Sequence, residues 1–401
     1  MNQFSDGVLR LGVGIEDTFI AHTALGRRKL DEYELTQHYT RWAGDLDLVK
    51  ASGANTVRYG LPWYRINPAP GTYVWDWADR VVDRLCELGL EVIVDLVHYG
   101  TPEWLDNHFI NHRYPQAVAE YAFALAERYG DRLTAWTPLN EPQWTARLCG
   151  ESGTWPPYLT GDDGYLQMMR AIAKGVVGSQ RAITDATGGK ATFVHVEASF
   201  RYPSGDSGVL NERRWLCGDL LNGMVGEGHP LLGYLREHGF TDDDLTWFAS
   251  NPARPDVMGI NYYPMWSTLV HEDGPGGAAQ ERDDGVAGLE EIIRETAARY
   301  GVPVMVTETS YEGTMAQRIA WLRDSVALLH KLRSEVEIAG YIWWPFFDQI
   351  RWQYREALDP VEQHLHRLGL VTLDTDDVGG FPRRPNELFD VFQALCQGRQ
   401  S

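Results

Sequence analysis

The feature that most restricts what this chain can fold into is a recurring pair. Short β-branched or apolar runs repeat along it, each followed by a longer stretch with helical spacing of apolar residues. Eight such units can be read. The predicted strands cover residues 8–14, 55–58, 91–97, 133–137, 191–197, 256–260, 302–307 and 338–343. Helices are predicted at 39–52, 77–88, 115–129, 165–187, 289–300, 315–332 and 386–396. An irregular region at 211–221 and 230–238 follows the fifth strand, and a glycine-rich loop at 273–288 follows the sixth. Gly89 and Gly130 close two of the helices, as glycine often does. Eight parallel strands with crossover helices predict an α/β fold, a single (β/α)8 TIM barrel with extended βα loops. A doubly wound dinucleotide fold would show G-x-G-x-x-G after a strand. Gly12 and Gly14 supply only its first half and are followed by Ile15, Glu16 and Asp17. No linker, repeat tract or low-complexity run divides the chain, so one domain over 1–401 is expected.

Composition narrows the partners. Lys and Arg number 36 against 56 Asp and Glu, a net charge of −20, which repels nucleic acid and anionic lipid. No apolar stretch reaches the roughly 18 residues of a membrane helix. A small molecule is the expected partner, and oligomeric state is not read from the sequence. Cys86, Cys149, Cys217 and Cys396 lie far apart, with no C-x-x-C pair. The opening MNQFSDG lacks the basic and apolar regions of a secretory leader, so a reduced, cytoplasmic setting is expected. The aromatic content is high, with 15 Trp, 19 Tyr and 13 Phe. Such rings fill cores and also stack on the C–H faces of sugars.

In a TIM barrel the chemistry sits where strands end, and these ends are polar. The third strand ends in His98-Tyr99, the fourth in Asn140-Glu141, the sixth in Asn261-Tyr262-Tyr263, the seventh in Glu308 and the eighth in Trp343-Trp344. A lone carboxylate there usually serves a loop. Two glutamates on strands four and seven, from opposite walls, can instead face each other across the mouth. Cleaving a glycosidic bond needs one carboxyl to protonate the leaving oxygen and another to meet the anomeric carbon, directly or through water. The two must differ in pKa to divide that labour. A gap of about 5 to 5.5 Å gives retention of configuration, and about 6.5 to 9.5 Å gives inversion.

Six segments in order carry a resemblance. Trp136-Thr137-Pro138-Leu139-Asn140-Glu141-Pro142 resembles the W-x-T-x-N-E-P of retaining β-glycosidases of glycoside hydrolase family 1, and Val306-Thr307-Glu308-Thr309 resembles its I-T-E-N. RYGLPWYRINPAP from Arg58, EVIVDLVHYGTPEWL from Glu91, MGINYYP from Met258 and GYIWWPFFDQIRW from Gly340 are similar to further family segments. The resemblance implies a β-glucosidase-like O-glycosyl hydrolase working through a covalent glycosyl-enzyme intermediate, without metal or cofactor. Glu141 would be the general acid/base and Glu308 the nucleophile. Asn140 would bind the sugar 2-hydroxyl, His98 and Trp344 would line the sugar subsite, and Arg58 and Tyr263 would orient Glu308. Arg351, Trp352 and Glu16 are further substrate-binding candidates.

The departures concern the sugar. Arg351 replaces the family glutamate that holds the 4- and 6-hydroxyls, Pro345 stands where serine is usual, and Gln349 stands for asparagine. At the first strand Gly14-Ile15-Glu16-Asp17-Thr18 does not match the family's S-A-x-Q-x-E-G. These changes, in a chain read as a short and atypical member, imply a modified or anionic glycone met by Arg351. The alternative for Arg351 is a salt bridge to a loop acid such as Glu356. NERRWL from Asn211 and His229-Pro230-Leu231 resemble the family-1-type domain fused to bacterial sugar-nucleotide reductases. Two other functions stay open: a carbohydrate-binding barrel without turnover, and a transglycosidase using the same intermediate.

His195-Val196-Glu197 and His364-Leu365-His366 have metal-ligand spacing, but the sequence offers no third ligand, so hydrogen-bonded pairs are expected. Ser199 and Ser310 sit in no G-x-S-x-G elbow. Trp63, Trp104, Trp144, Trp155 and Trp266 are candidates for stacking on the aglycone.

Overall fold

The eight apolar runs pair edge to edge. In the computed structural model, which describes residues 3–203, 208–271, 279–377 and 379–398, they are β1 (Arg10–Ile15), β2 (Thr56–Gly60), β3 (Glu91–Asp95), β4 (Ala135–Thr137), β5 (Thr192–Ala198), β6 (Val257–Asn261), β7 (Val304–Thr309) and β8 (Ile338–Trp343). Each strand lies parallel to the next, and β8 pairs back to β1, closing the barrel. The predicted TIM barrel is the observed fold. Several strands start later than expected. Pro303 has no N–H for the ladder, so β7 begins at Val304.

Alternation then divides the side chains. Ile93, Ala135, Val194, Val196, Val257, Met305, Ala339 and Ile342 form a small cluster inside the barrel, joined by Phe4. Their neighbours, among them Val57, Val94, Trp136, Phe193 and Met258, belong to the larger core under the helices. That outer layer is built by α1 (His38–Ala51), α2 (Asp76–Glu87), α3 (Tyr114–Tyr129), α4 (Gly161–Thr187), α5 (Leu216–Asn222), α6 (Gly285–Tyr300), α7 (Met315–Leu332) and α8 (Glu387–Cys396). A capping box, Thr314 with Gln317, starts α7.

Three regions differ from expectation. The stretch predicted at 211–221 is split into a short helix, Gly208–Arg213, and α5. Asp242–Ser250 is an additional helix, opened by a Thr241–Asp244 capping box that the run of acidic residues conceals. Part of the predicted glycine-rich loop is ordered as strand, since Thr268–His271 pairs antiparallel with Ala279–Arg282; its residues 273–278 lie outside the described residues. All four cysteines are free. Among the described residues no helix is long and apolar enough to cross a membrane.

Candidate active site

At the strand C-terminal ends the inward positions turn polar, and one guanidinium organises them. Arg58, on β2, is fully buried. Its Nη1 donates to Glu308 Oε1 at 2.5 Å, and its Nη2 donates to Asp95 Oδ2 at 2.6 Å and Asn140 Oδ1 at 2.7 Å. Asp95 also pairs with His98 Nδ1 at 2.9 Å, and His98 Nε2 lies 3.3 Å from Asn140 Nδ2. Because Asn140 Oδ1 faces the arginine, its amide nitrogen must be the donor to His98 Nε2. The His98 proton therefore sits on Nδ1, toward Asp95. Burial works against the Arg58 charge, but Asp95, Glu16 and Glu308 more than offset it, so its pKa rises and the cation is permanent.

Glu308 reaches this cation through an irregularity. Regular alternation along β7 sends Met305 and Thr307 inward, and the next residue should face the helices. The register of β7 shifts against both neighbours, between Val306 and Glu308 on one side and between Val306 and Thr309 on the other. The extra residue re-aims Glu308 into the mouth, the known use of bulges beside sites. Its second oxygen, Oε2, accepts the Tyr263 hydroxyl at 2.7 Å.

Glu141 arrives by a different distortion. It follows β4 with φ of 46°, in the left-handed region, and serves as N-cap of the short helix Pro142–Ala146. A non-glycine residue held there is strained, and such strain is characteristic of functional positions. Asn261 Nδ2 donates to Glu141 Oε1 at 2.8 Å, and the Tyr99 hydroxyl donates to Oε2. Thr307 Oγ1 donates to Asn261 Oδ1 at 2.7 Å, fixing which end of that amide faces Glu141. Burial first, and then the charge of Glu308, push the Glu141 carboxyl up to about 8, while the Tyr99 and Asn261 hydrogen bonds pull it down. The site thus contains a carboxyl that keeps its proton at neutrality.

Both glutamates line one cavity of about 680 Å³, the size of a ligand pocket. Tyr263, Trp344, Arg351 and Trp352 share its wall. His98 and Asn140 are buried and tied to Asp95 and Arg58, and neither is among the residues that line the cavity. Glu16 is elsewhere: it is 1% exposed, its Oε1 lies 3.3 Å from Arg58 Nη1, and neither oxygen has a hydrogen-bond partner. Burial raises its pKa well above the ordinary range despite Arg58. It therefore neighbours the arginine beneath the pocket and does not line the wall. Gly14 permits this arrangement, because a Cβ there would meet the Glu16 carboxylate at 2.6 Å and Trp344 Cδ1 at 2.9 Å.

Arg351 forms an ion pair, but with Glu312 and not with Glu356, which pairs with Arg27 at 3.2 Å. His366 Nε2 stands 3.5 Å from the same Glu312 oxygen, and burial, with Arg351 nearby, lowers the His366 pKa to about 4. Among the tryptophans, Trp144 and Trp266 line the cavity. Trp155 packs edge-on to Trp352 with ring centres 5.0 Å apart, Trp63 is core, and Trp104 Nε1 donates to the Asn67 carbonyl at 2.7 Å. Sequence reasoning missed Asp95 and Glu312 as site residues, and it named Tyr99 and Asn261 at the strand ends without giving them a role. Asp95 was within reach, since alternation from Ile93 aims it inward. The contacts of Tyr99 and Asn261 with Glu141, and of Glu312 with Arg351, needed coordinates.

Residues 10–209 match the family model described as glycosyl hydrolase family 1, a span that includes Glu141 and stops short of Glu308. Curated relatives include β-glucosidase A of Thermotoga maritima, 25% identical and covering 90% of this chain and 87% of that protein. Another is the bifunctional β-D-glucosidase/β-D-fucosidase of Bifidobacterium breve, 24% identical over 79% of this chain and 80% of that protein. Among solved structures, a family 1 β-glucosidase from Thermotoga maritima superposes with a TM-score of 0.82 at 18% identity, over 98% of each chain, a likeness of fold.

Proposed function

We infer from the glycosyl hydrolase family 1 domain this chain carries, homologous to the Thermotoga maritima β-glucosidase, that this O-glycosyl hydrolase works by retention, with Glu308 as nucleophile and Glu141 as acid/base. One observation carries the reading: two buried carboxyls share a single cavity, and their hydrogen-bond partners differ in kind. Arg58 and Tyr263 hold both oxygens of Glu308, fixing an anionic group against the anomeric carbon. Glu141, protonated at neutrality, gives its proton to the departing oxygen. Esterification of Glu308 then removes the charge that had helped raise Glu141. Its pKa falls, and it accepts a proton from the water that releases the sugar. In this reading Asn140 meets the 2-hydroxyl, His98 and Trp344 border the ring, and Trp352 lies at the pocket wall.

The glycone is the finer question. Arg351 stands where a family glutamate is expected, and Glu312 already neutralises it. A bare anionic sugar would have to displace Glu312. A glycone modified at C4 or C6, meeting the ion pair with both donors and acceptors, fits better. The test is a panel of aryl β-glycosides followed by NMR. Neutral glycones are expected to be cleaved faster than uronides, with the β-anomer of the free sugar appearing first. An α-anomer appearing first contradicts retention, and preference for uronides contradicts the neutral glycone.

The proton on Glu141 sets the pH profile. The basic limb of kcat/KM should fall near pH 8, where Glu141 ionises. The Tyr99 hydrogen bond favours the ionised form, so Tyr99→Phe raises the pKa and moves that limb to higher pH. A limb that stays in place in Tyr99→Phe would separate Tyr99 from proton control.

A further inference from the structure

On the outer face of β5, the pair His195 and Glu197 faces the helical layer, and there the structure supplies the third ligand absent from the local sequence, Cys217 on α5. We propose that His195, Glu197 and Cys217 bind a divalent transition-metal ion, zinc by the chemistry of the donors, which staples β5 to α5 behind the wall that carries Glu141. One ligand atom from each residue lies within 4.8 Å of the other two, and all three residues are buried. His195 Nε2 stands 3.6 Å from Glu197 Oε2, and that nitrogen has no hydrogen-bond partner. This is too long for a hydrogen bond and close to the roughly 3.4 Å edge of a tetrahedron with metal bonds near 2.0 to 2.1 Å. The histidine is 4% exposed, so its unpartnered nitrogen has no bulk water to turn to.

The carboxylate is oriented for the task. Glu197 Oε1 accepts the backbone N–H groups of Gln143 at 3.1 Å and Ala198 at 3.0 Å, which leaves Oε2 toward the histidine. Fixing a ligand from behind in this way is the usual support of a metal centre. A cavity of about 20 Å³ adjoins the group, lined by His195, Glu197 and Gly218. That volume holds one water, enough to complete four-coordination. A neutral imidazole, a carboxylate and a thiolate carry two negative charges, so a divalent ion leaves the buried site neutral. The thiol proton passes to solvent as the ion enters. Arg214 also lines the cavity, but its guanidinium is held by Glu295 at 2.8 Å and by the Phe200 carbonyl at 3.2 Å. A mixed nitrogen, sulfur and oxygen set favours zinc over magnesium or calcium.

The position joins this site to the active centre without entering it. Val196, between the two β5 ligands, accepts the Glu141 N–H at 3.1 Å. The ion is therefore a brace, and its removal should lower thermal stability more than turnover. The experiment uses tag-free full-length protein, measured for metal content and titrated with zinc and with cobalt. One ion per chain is expected, together with a rise in Tm on adding zinc and a thiolate-to-cobalt charge-transfer band. Cys217→Ser should abolish the band, and Cys217→Ser and His195→Gln should each weaken zinc binding by more than about a hundredfold. Cys149→Ser, a buried thiol elsewhere, should leave all three readouts unchanged. If either ligand variant fails to fold, the wild-type cobalt spectrum decides. No retained ion with no zinc-dependent Tm shift, no charge-transfer band, or a band that survives in folded Cys217→Ser, overturns the proposal.

Discussion

Glu308→Gly lowers kcat/KM for an aryl β-glycoside by roughly 10⁵-fold, the scale on which loss of a covalent nucleophile is felt, and added azide restores turnover with formation of the α-glycosyl azide. The expectation follows from what the substitution leaves behind. Arg58 stays pinned by Asp95 and Asn140, and the Tyr263 ring stays packed against Trp266 and Trp344, so the cradle for an anion outlasts the side chain it held. A small anion enters the vacated volume on the face from which Glu308 would attack. The product is inverted because only one displacement occurs, and it is not cleaved again without the nucleophile. A β-azide, or loss without rescue in a variant of wild-type Tm, would remove Glu308 from that role.

Glu141→Ala should behave differently, and the contrast is diagnostic. Loss of the proton donor costs on the order of 10² to 10⁴-fold for alkyl β-glycosides, whose leaving group needs protonation. It costs far less in the first step for nitrophenyl or dinitrophenyl glycosides, whose leaving groups depart unaided. With these activated substrates the intermediate accumulates, a burst precedes slow turnover, and azide accelerates release as the β-glycosyl azide. The fall in kcat/KM near pH 8 should disappear, because the group titrating there is gone. Equal losses on good and poor leaving groups would deny Glu141 the proton transfer.

Much of this was legible in the chain. The strand-helix alternation gave the barrel, the strand ends singled out Glu141, Glu308, Tyr263, Asn140 and His98, and the resemblance to family 1 added Arg58 and the expected roles; all six lie in one hydrogen-bonded assembly. The remainder depends on departures from regularity. Period-two reasoning points Glu308 the wrong way, and only the bulge in β7 turns it inward. Tyr99 reaches Glu141 from a backbone with φ of 74°, a conformation that no local rule assigns to tyrosine. Arg351 pairs with Glu312, which comes from the loop after β7, and not with nearby Glu356, because its partner is chosen by the fold and not by sequence distance. Glu16 was a substrate-binding candidate from its place in the first-strand segment compared with the family's S-A-x-Q-x-E-G. Gly14 instead lets it settle beneath Arg58, where two further acids already compete for one cation. Cys217 faces His195 for the same reason: the crossover, not the motif, brings them together.

The most direct test of the central claim is to trap the sugar on the protein. Incubation with a 2-deoxy-2-fluoro aryl β-glycoside, followed by intact mass measurement and peptide mapping, should reveal one fluoroglycosyl group per chain, esterified to the peptide at Glu308 and lost slowly on adding an acceptor alcohol. A label on any other residue, or inactivation with no added mass for a glycone the enzyme demonstrably cleaves, would contradict the account.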